Sequence, residues 1–304
     1  MKLFLHIKEN IIAVGDKMSL QNESFYTFQV TRSLLAFATL FTLLFSSSSS
    51  LFTHKFFNTM KLNDALLNKI NLFNLVGYEY LYISKIICII ILLLVITGYF
   101  HKIISVLHWY ISFSLYSSLT IVDGGDQIAS IITLLLIPIA LCDNRKNTWG
   151  MVQSKTGDNS LLFFVSNSFL TVIQLQIAII YLNSGIAKVF IGDWQNGSAY
   201  YYWFTHSAFG APGYLKYLFE GLLSNPIIVA LITWGTIIFE IMLFGGLFSS
   251  NKNFKNLMFK IGITFHLLIF IIHGLFSFGL IMIGCLYIYL KSNGKEVFKL
   301  KTAP

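Results

Sequence analysis

Residues 174–204 read QLQIAIIYLNSGIAKVFIGDWQNGSAYYYWF. The first half is apolar enough for hydrocarbon. Near its end Tyr181, Gly185 and Lys188 fall three and four residues apart, which puts them on one face of a helix. Gly192, Asp193 and Trp194 follow, then a polar Gln195-Asn196-Gly197 turn and the aromatic cluster Tyr200, Tyr201, Tyr202 and Trp203. An ordinary spanning helix ends in a snorkelling lysine and a short loop. This one ends in an amphipathic aromatic platform, so any chemistry the chain performs is expected here.

The rest of the chain agrees that the solvent is lipid. Of 304 residues, 56% are hydrophobic and 11% charged, with a mean hydropathy of +0.71. Soluble domains carry roughly 25% charged residues, and a chain with so few cannot present a wettable surface. The apolar runs are continuous rather than alternating, which excludes a transmembrane β-barrel. The expected class is therefore an all-α, polytopic membrane bundle. In such a protein a net charge of +8 reflects lysines kept in cytoplasmic loops. No basic run with interleaved aromatics lies outside the apolar segments, so nucleic acid is not an expected partner. Cys88, Cys142 and Cys285 form no CxxC and have no nearby histidine at metal spacing; they read as small apolar residues.

A bilayer core of about 30 Å needs roughly 20 apolar residues per helix. On that measure spans are expected near 28–48, 80–99, 103–120, 127–142, 161–187, 226–248, 256–273 and 275–290. The third, fourth and eighth are short, so seven spans is the near alternative. Residues 1–27 form an N-terminal cytoplasmic segment, 28–290 one bundle, and 291–304 a basic cytoplasmic tail. The first apolar run is longer than a signal-peptide core of about 7–15 residues, which favours an uncleaved span. With both termini inside, 15 of the lysines and arginines are cytoplasmic and 6 are external, the bias that the positive-inside rule requires. This topology sends three features to the outer side: the loop after the first span, the turn from Asp123 to Gln127, and the segment from Lys188 to Asn225. A helix from Leu161 to Lys188 would be about 42 Å long, placing Lys188 near the outer headgroups.

Each polar residue inside a span has two readings. Lys188 is either a desolvated base or anion ligand beside Tyr181 and aromatic rings, or a snorkelling anchor. Glu240, in the middle of an apolar run, faces a partner or wet cavity, or makes a structural hydrogen bond to a neighbouring helix. His266 and His273 lie two turns apart on one face, which is not the i,i+4 pair of a helical zinc motif. No metal site is expected. Asp123 and Asp126 flank two glycines and suit the start of a helix as N-cap residues. Arg32 reads as an interfacial anchor.

Two motifs carry a resemblance: Tyr181 through Lys188 with the small-Gly-x-x-Lys step at Ser184 to Lys188, then Asp193-Trp194-Gln195-Asn196-Gly197. This order is similar to the horizontally transferred transmembrane domain shared with vitamin K-dependent γ-carboxylases. The mid-span acid Glu240, the pair Phe265-His266 and the run Phe276-Ser277-Phe278-Gly279 agree with it. Within that superfamily the opening TRSLLAFATLFTLLF, from Thr31 to Phe45, most resembles the sporulation-delaying protein B family of bacterial membrane proteins. The resemblance implies a multi-pass protein of the bacterial cytoplasmic membrane, needed for maturation or export of a secreted antimicrobial peptide. It implies two partners, a small companion protein and the toxin-peptide precursor. It also implies Lys188 as candidate base, with Glu240 and His266 as catalytic partners and Tyr181, Gly185, Asp193, Trp194 and His273 around a substrate pocket. Two other functions stay open. A quinol-linked oxidoreductase or carboxylase-like enzyme would carry a bound quinone. An immunity or transport component would protect cells without changing the peptide's mass. No extramembrane domain follows the bundle, which argues against γ-carboxylation itself.

Overall fold

The computed structural model describes residues 22–55, 57–58, 66–150 and 160–292. The expected N-terminal segment, up to residue 21, and the tail beyond Ser292 lie outside these. Among the described residues there is no strand, and eight long helices follow one another along the chain. They are α1 Asn22–Phe45, α2 Leu81–Thr97, α3 His101–Ser118, α4 Gly124–Cys142, α5 Ser160–Val189, α6 Pro226–Gly245, α7 Lys252–His273 and α8 Phe276–Lys291.

Their ends are written in the local sequence. Asp123 and Asp126 form a reciprocal capping box at the start of α4, with bonds of 3.0 and 3.2 Å. Asn225 caps α6 by accepting from the Ile227 amide at 3.0 Å, with Pro226 at the first helical position where its missing N–H costs nothing. Asn251 caps α7 in the same way, accepting from the Asn253 amide at 2.9 Å. Gly98 closes α2 with φ of 78°, where a side chain would be strained and would also meet Thr148.

The expected first span runs too far. α1 stops at Phe45 because Ser47 breaks away to cap the short helix Ser48–Leu51, accepting from the Ser50 amide at 3.1 Å. Serine competes with the helix backbone for such bonds. α5 runs without a break through Gly185 to Val189.

Among the described residues six helical segments are long and apolar enough to cross a membrane: Tyr26–Phe45, Tyr78–Thr97, Gly124–Cys142, Leu161–Val189, Pro226–Gly245 and Lys252–His273. The other two of the eight expected spans differ for physical reasons. α8 has only 16 residues. α3 carries His101, Ser105, His108, Ser112, Ser114, Ser117 and Ser118, which dilute its hydropathy.

Among the described residues there are two large apolar cores and a small third cluster around Phe204, Ala211 and Leu215 in the platform. One large core joins α4, α5 and α8 through Ile132, Ile173, Ile177 and Leu286. The other joins α1, α2 and α3 through Leu43, Leu92, Val95 and Ile111. The faces left over are apolar too: Ile86, Ile90 and Leu93 on α2, Ile227, Leu231 and Ile238 on α6, and Leu267, Leu268 and Ile271 on α7 are exposed. A helix apolar all round belongs in lipid.

One end of the bundle gathers the segments that position the site. There the Thr53 amide donates to Thr120 at 2.9 Å, and Ser277 donates to Asp123 at 3.0 Å. His273, at the end of α7, donates through Nδ1 to the Phe209 carbonyl at 2.8 Å. The C-terminus of α5 and the start of α6 are at this end, linked by short helices over Gly192–Gln195, Ala199–Thr205, Gly213–Leu218 and Glu220–Leu223.

Candidate functional site

The last turns of α5 present Tyr181, Ser184, Gly185 and Lys188 at i, i+3, i+4 and i+7, so all four share a face. That face meets α6, and Gly185 sets how closely. A Cβ added there would lie 3.1 Å from Ile241 Cγ1 and 3.5 Å from both Glu240 Cβ and the Ile237 carbonyl. Small residues of this kind let membrane helices approach. The close approach brings α5 and Glu240 within bonding distance.

Lys188 and Glu240 form an ion pair, with Nζ 2.7 Å from Oε2 and 2.9 Å from Oε1. Ser184 completes a triangle: its Oγ accepts from Lys188 Nζ at 2.6 Å and donates to Glu240 Oε1 at 3.1 Å. The lysine side chain is 18% exposed and the glutamate 7%. Over the ammonium stands the Trp194 ring, its centroid 5.3 Å away, a cation–π distance. Trp194 is held by its backbone, whose carbonyl accepts from Trp234 Nε1 at 3.1 Å. The turn that delivers it passes tightly over α6, since a Cβ on Gly197 would be 2.9 Å from Ala230 Cβ, and that glycine has φ of 74°.

Two turns further into the bundle, Tyr181 Oη lies 2.9 Å from His266 Nε2, and both side chains are buried. Tyr181 and Ser184 are one turn apart on the same face of α5, so the two pairs belong to one polar interior. The other imidazole nitrogen, His266 Nδ1, is buried without a partner. Around the ring stand Phe265 at 5.1 Å and Phe278 at 5.7 Å. An ammonium, a carboxylate, a phenol and an imidazole are thus gathered from α5, α6 and α7. Such a set can accept, hold and return protons, or bind one end of a polar chain. For Lys188 to act as a base it must first give up a proton, and Glu240 is the acceptor in contact with it.

The structure brings together Lys188, Glu240, Tyr181, His266, Gly185 and Trp194. It does not bring in the other two residues expected to line a pocket. Asp193 is exposed, and its carbonyl instead accepts from the Ser198 amide at 2.9 Å. His273 packs edge-on against Trp203 at 6.4 Å and fastens the aromatic platform through Phe209. Ser184 was missed as a site residue, although its place four residues before Lys188 was the available signal. Arg32 is a correction: the expected interfacial anchor is 1% exposed, inside the bundle. Its neighbours Gln29 and Thr148 supply polar contacts at depth that an apolar core would not.

No family model matches the chain, and no solved structure does. Two curated proteins of Bacillus subtilis (strain 168) are similar over nearly the whole length. The uncharacterized protein YitO is 33% identical over 286 residues, covering 93% of this chain and 90% of that one. The sporulation-delaying protein SdpB is 35% identical over 270 residues, covering 87% of this chain and 80% of that one. Identity at that level across most of both chains shows common descent and a common fold, and this chain belongs to the SdpB family.

Proposed function

We propose that the chain is a factor of the bacterial cytoplasmic membrane that takes part in maturation or export of a secreted sporulation-delaying-type peptide. The Lys188–Glu240 pair is the site that meets the peptide precursor. The observation that carries this is an ion pair held between two membrane helices and left partly open beneath Trp194. A charge pair inside a bundle is expensive and marks function more often than architecture. Kinship with a protein named for delaying sporulation supplies the biological direction.

In this scheme all eight long helices cross the membrane, α3 with its polar face turned into the bundle. Both termini are cytoplasmic and the platform after Lys188 is external, in keeping with the bias of lysine and arginine. The domain related to the γ-carboxylases supplies the frame, with Lys188 at the position of their lysine. A precursor's carboxylate or carbonyl can take the place of Glu240 at the Lys188 ammonium. Glu240 is then free to accept a proton from the bound chain, and Tyr181 with His266 can donate one from below. The small companion protein has the exposed platform from Tyr201 to Leu222 on which to present the precursor.

The test is the amount of mature peptide released by cells carrying Lys188→Arg, Lys188→Ala or Glu240→Gln at matched levels of membrane protein. A residue that moves a proton should cost about a hundredfold when removed. Arginine should not rescue, because guanidinium stays protonated. Wild-type output from Lys188→Ala would overturn the proposal. Wild-type output from Lys188→Arg alone would leave the lysine as an anion-binding group and eliminate the base.

A further inference from the structure

α6 and α7 are consecutive in the chain, yet they do not pack as a pair. Among the described residues α6 packs on α5 and under the platform, while α7 packs along α8. Glycines make those contacts tight. Gly185 admits α6 to α5, and a Cβ on Gly262 or Gly279 would meet Leu286 Cδ1 at 2.6 Å or the His266 carbonyl at 3.1 Å. From above, the Trp194 ring covers Lys188, and His273 ties the end of α7 to the platform.

The faces that α6 and α7 turn to the gap are apolar. Gly235, Phe239 and Met242 share one face of α6, and Ile261, Phe265 and Leu268 share one face of α7. The Phe239 and Phe265 rings meet edge to face, their centroids 5.4 Å apart. On either side of this pair the faces are open. A Cβ on Gly235 would meet nothing within 4 Å, and Met242, Ile261 and Leu268 are exposed. The residue after each ring belongs to the site: Glu240 follows Phe239, and His266 follows Phe265.

Inside, His266 has an unmet need. Tyr181 occupies its Nε2 at 2.9 Å, while Nδ1 is buried without a partner. Phe265 and Phe278 flank the imidazole. A buried polar atom left unpaired is costly. A buried water needs roughly 2–4 polar partners, and aromatic rings supply none of the usual kind. A polypeptide entering from lipid brings its own polar groups, and in hydrocarbon each backbone N–H and C=O must find a partner in protein. We propose, resting on the function proposed above, that the precursor reaches the site from the bilayer as a membrane-inserted apolar segment passing between α6 and α7. His266 Nδ1 takes up one backbone group of that segment. The Phe239–Phe265 pair is the gate, and parting the two rings leaves the α5–α6 and α7–α8 contacts in place.

The experiment closes the gate reversibly. Cells carrying Phe239→Cys together with Phe265→Cys are treated with a short, lipid-permeable bifunctional methanethiosulfonate, and released mature peptide is measured at matched levels of membrane protein. Bridging should abolish output, dithiothreitol should restore it, and either single cysteine with the same reagent should keep it. The cysteine pair can fail to fold, so p-benzoylphenylalanine at Phe239 or Phe265, which keeps a ring there, provides the second arm. On illumination it should crosslink an epitope-tagged precursor, whereas the same group at lipid-facing Ile90 on α2 should not. His266→Phe should weaken the crosslink at Phe265; an unchanged yield would overturn the histidine contact. Full output from the bridged pair would overturn the lateral route, while loss of output in Lys188→Ala would still uphold the proposed function. Equal precursor adducts at Ile90 and Phe265, or adducts with lipid alone, would also overturn the route.

Discussion

The ion pair between α5 and α6 should show strong energetic coupling, and the geometry sets its size. At 2.7 Å, and with an effective dielectric of 20, two unit charges attract by about 6 kcal/mol, an upper bound before desolvation. Removing one partner of a fully buried pair costs about 3–5 kcal/mol. Lys188 keeps some exposure and retains Ser184 Oγ at 2.6 Å, so Glu240→Leu should cost less, about 2–3 kcal/mol. Lys188→Met should cost more, about 3–4 kcal/mol, because the stranded carboxylate is nearly enclosed and keeps only the Ser184 hydroxyl. The double variant replaces both charges by apolar groups of similar volume and should cost no more than the milder single change. The double-mutant cycle then yields a coupling of at least about 3–4 kcal/mol, the cost of Lys188→Met alone. The assay is reversible unfolding in mixed micelles at low salt, followed by tryptophan fluorescence. Additive single effects, with coupling below about 0.5 kcal/mol, would refute the buried pair and return Lys188 to an exposed anchoring role.

Three further outcomes can be checked. Tyr181→Phe strands His266 Nε2 beside its already unpartnered Nδ1 and should lower stability by about 1–3 kcal/mol in the same unfolding assay; no change would mean the pair is not formed. Gly185→Ala should be tolerated, because Ile241 can give by a few tenths of an ångström at a 3.1 Å approach, whereas Gly185→Val should separate the helices and reproduce the peptide-output defect of Lys188→Ala at normal protein levels. Cysteine placed at Asn196 should label with an impermeant thiol reagent in intact cells, and cysteine at Gly157, which lies outside the described residues, should not; the reverse pattern would invert the orientation.

The class of fold was open to reading because lipid imposes one rule on every residue. Continuous apolar runs of the right length admit only helices, and the caps at Asp123, Asn225 and Asn251 then fix where those helices begin. The site was partly open for a related reason. Lys188 and Glu240 stand out because charge at depth is rare, and Gly185 marks a close helix contact three residues before the lysine. What sequence spacing cannot supply is which distant face a side chain meets. The pairing of Lys188 with Glu240 spans 52 positions and depends on the path of the chain through the platform. Asp193 and His273 were grouped with Lys188 by proximity in sequence or by periodicity; in the fold Asp193 is exposed and His273 is fastened to the Phe209 carbonyl.

Arg32 and α3 show the same limit from the other side. A lysine or arginine near the start of an apolar run usually rises to the headgroups, because its long stem permits it. Arg32 does not take that route: it sits within α1, ten residues past Asn22, and its side chain is buried in the bundle. It turns inward to Gln29 instead. The serines and histidines of α3 dilute the hydropathy of that helix, yet His101, Ser105, His108 and Ser112 are all buried. A polar stripe on one helix and a buried charge on another are each poor evidence of a bundle interior when taken singly. In the fold both are buried, so polar residues that lower a helix's hydropathy can lie inside the bundle, where hydropathy alone does not look for them.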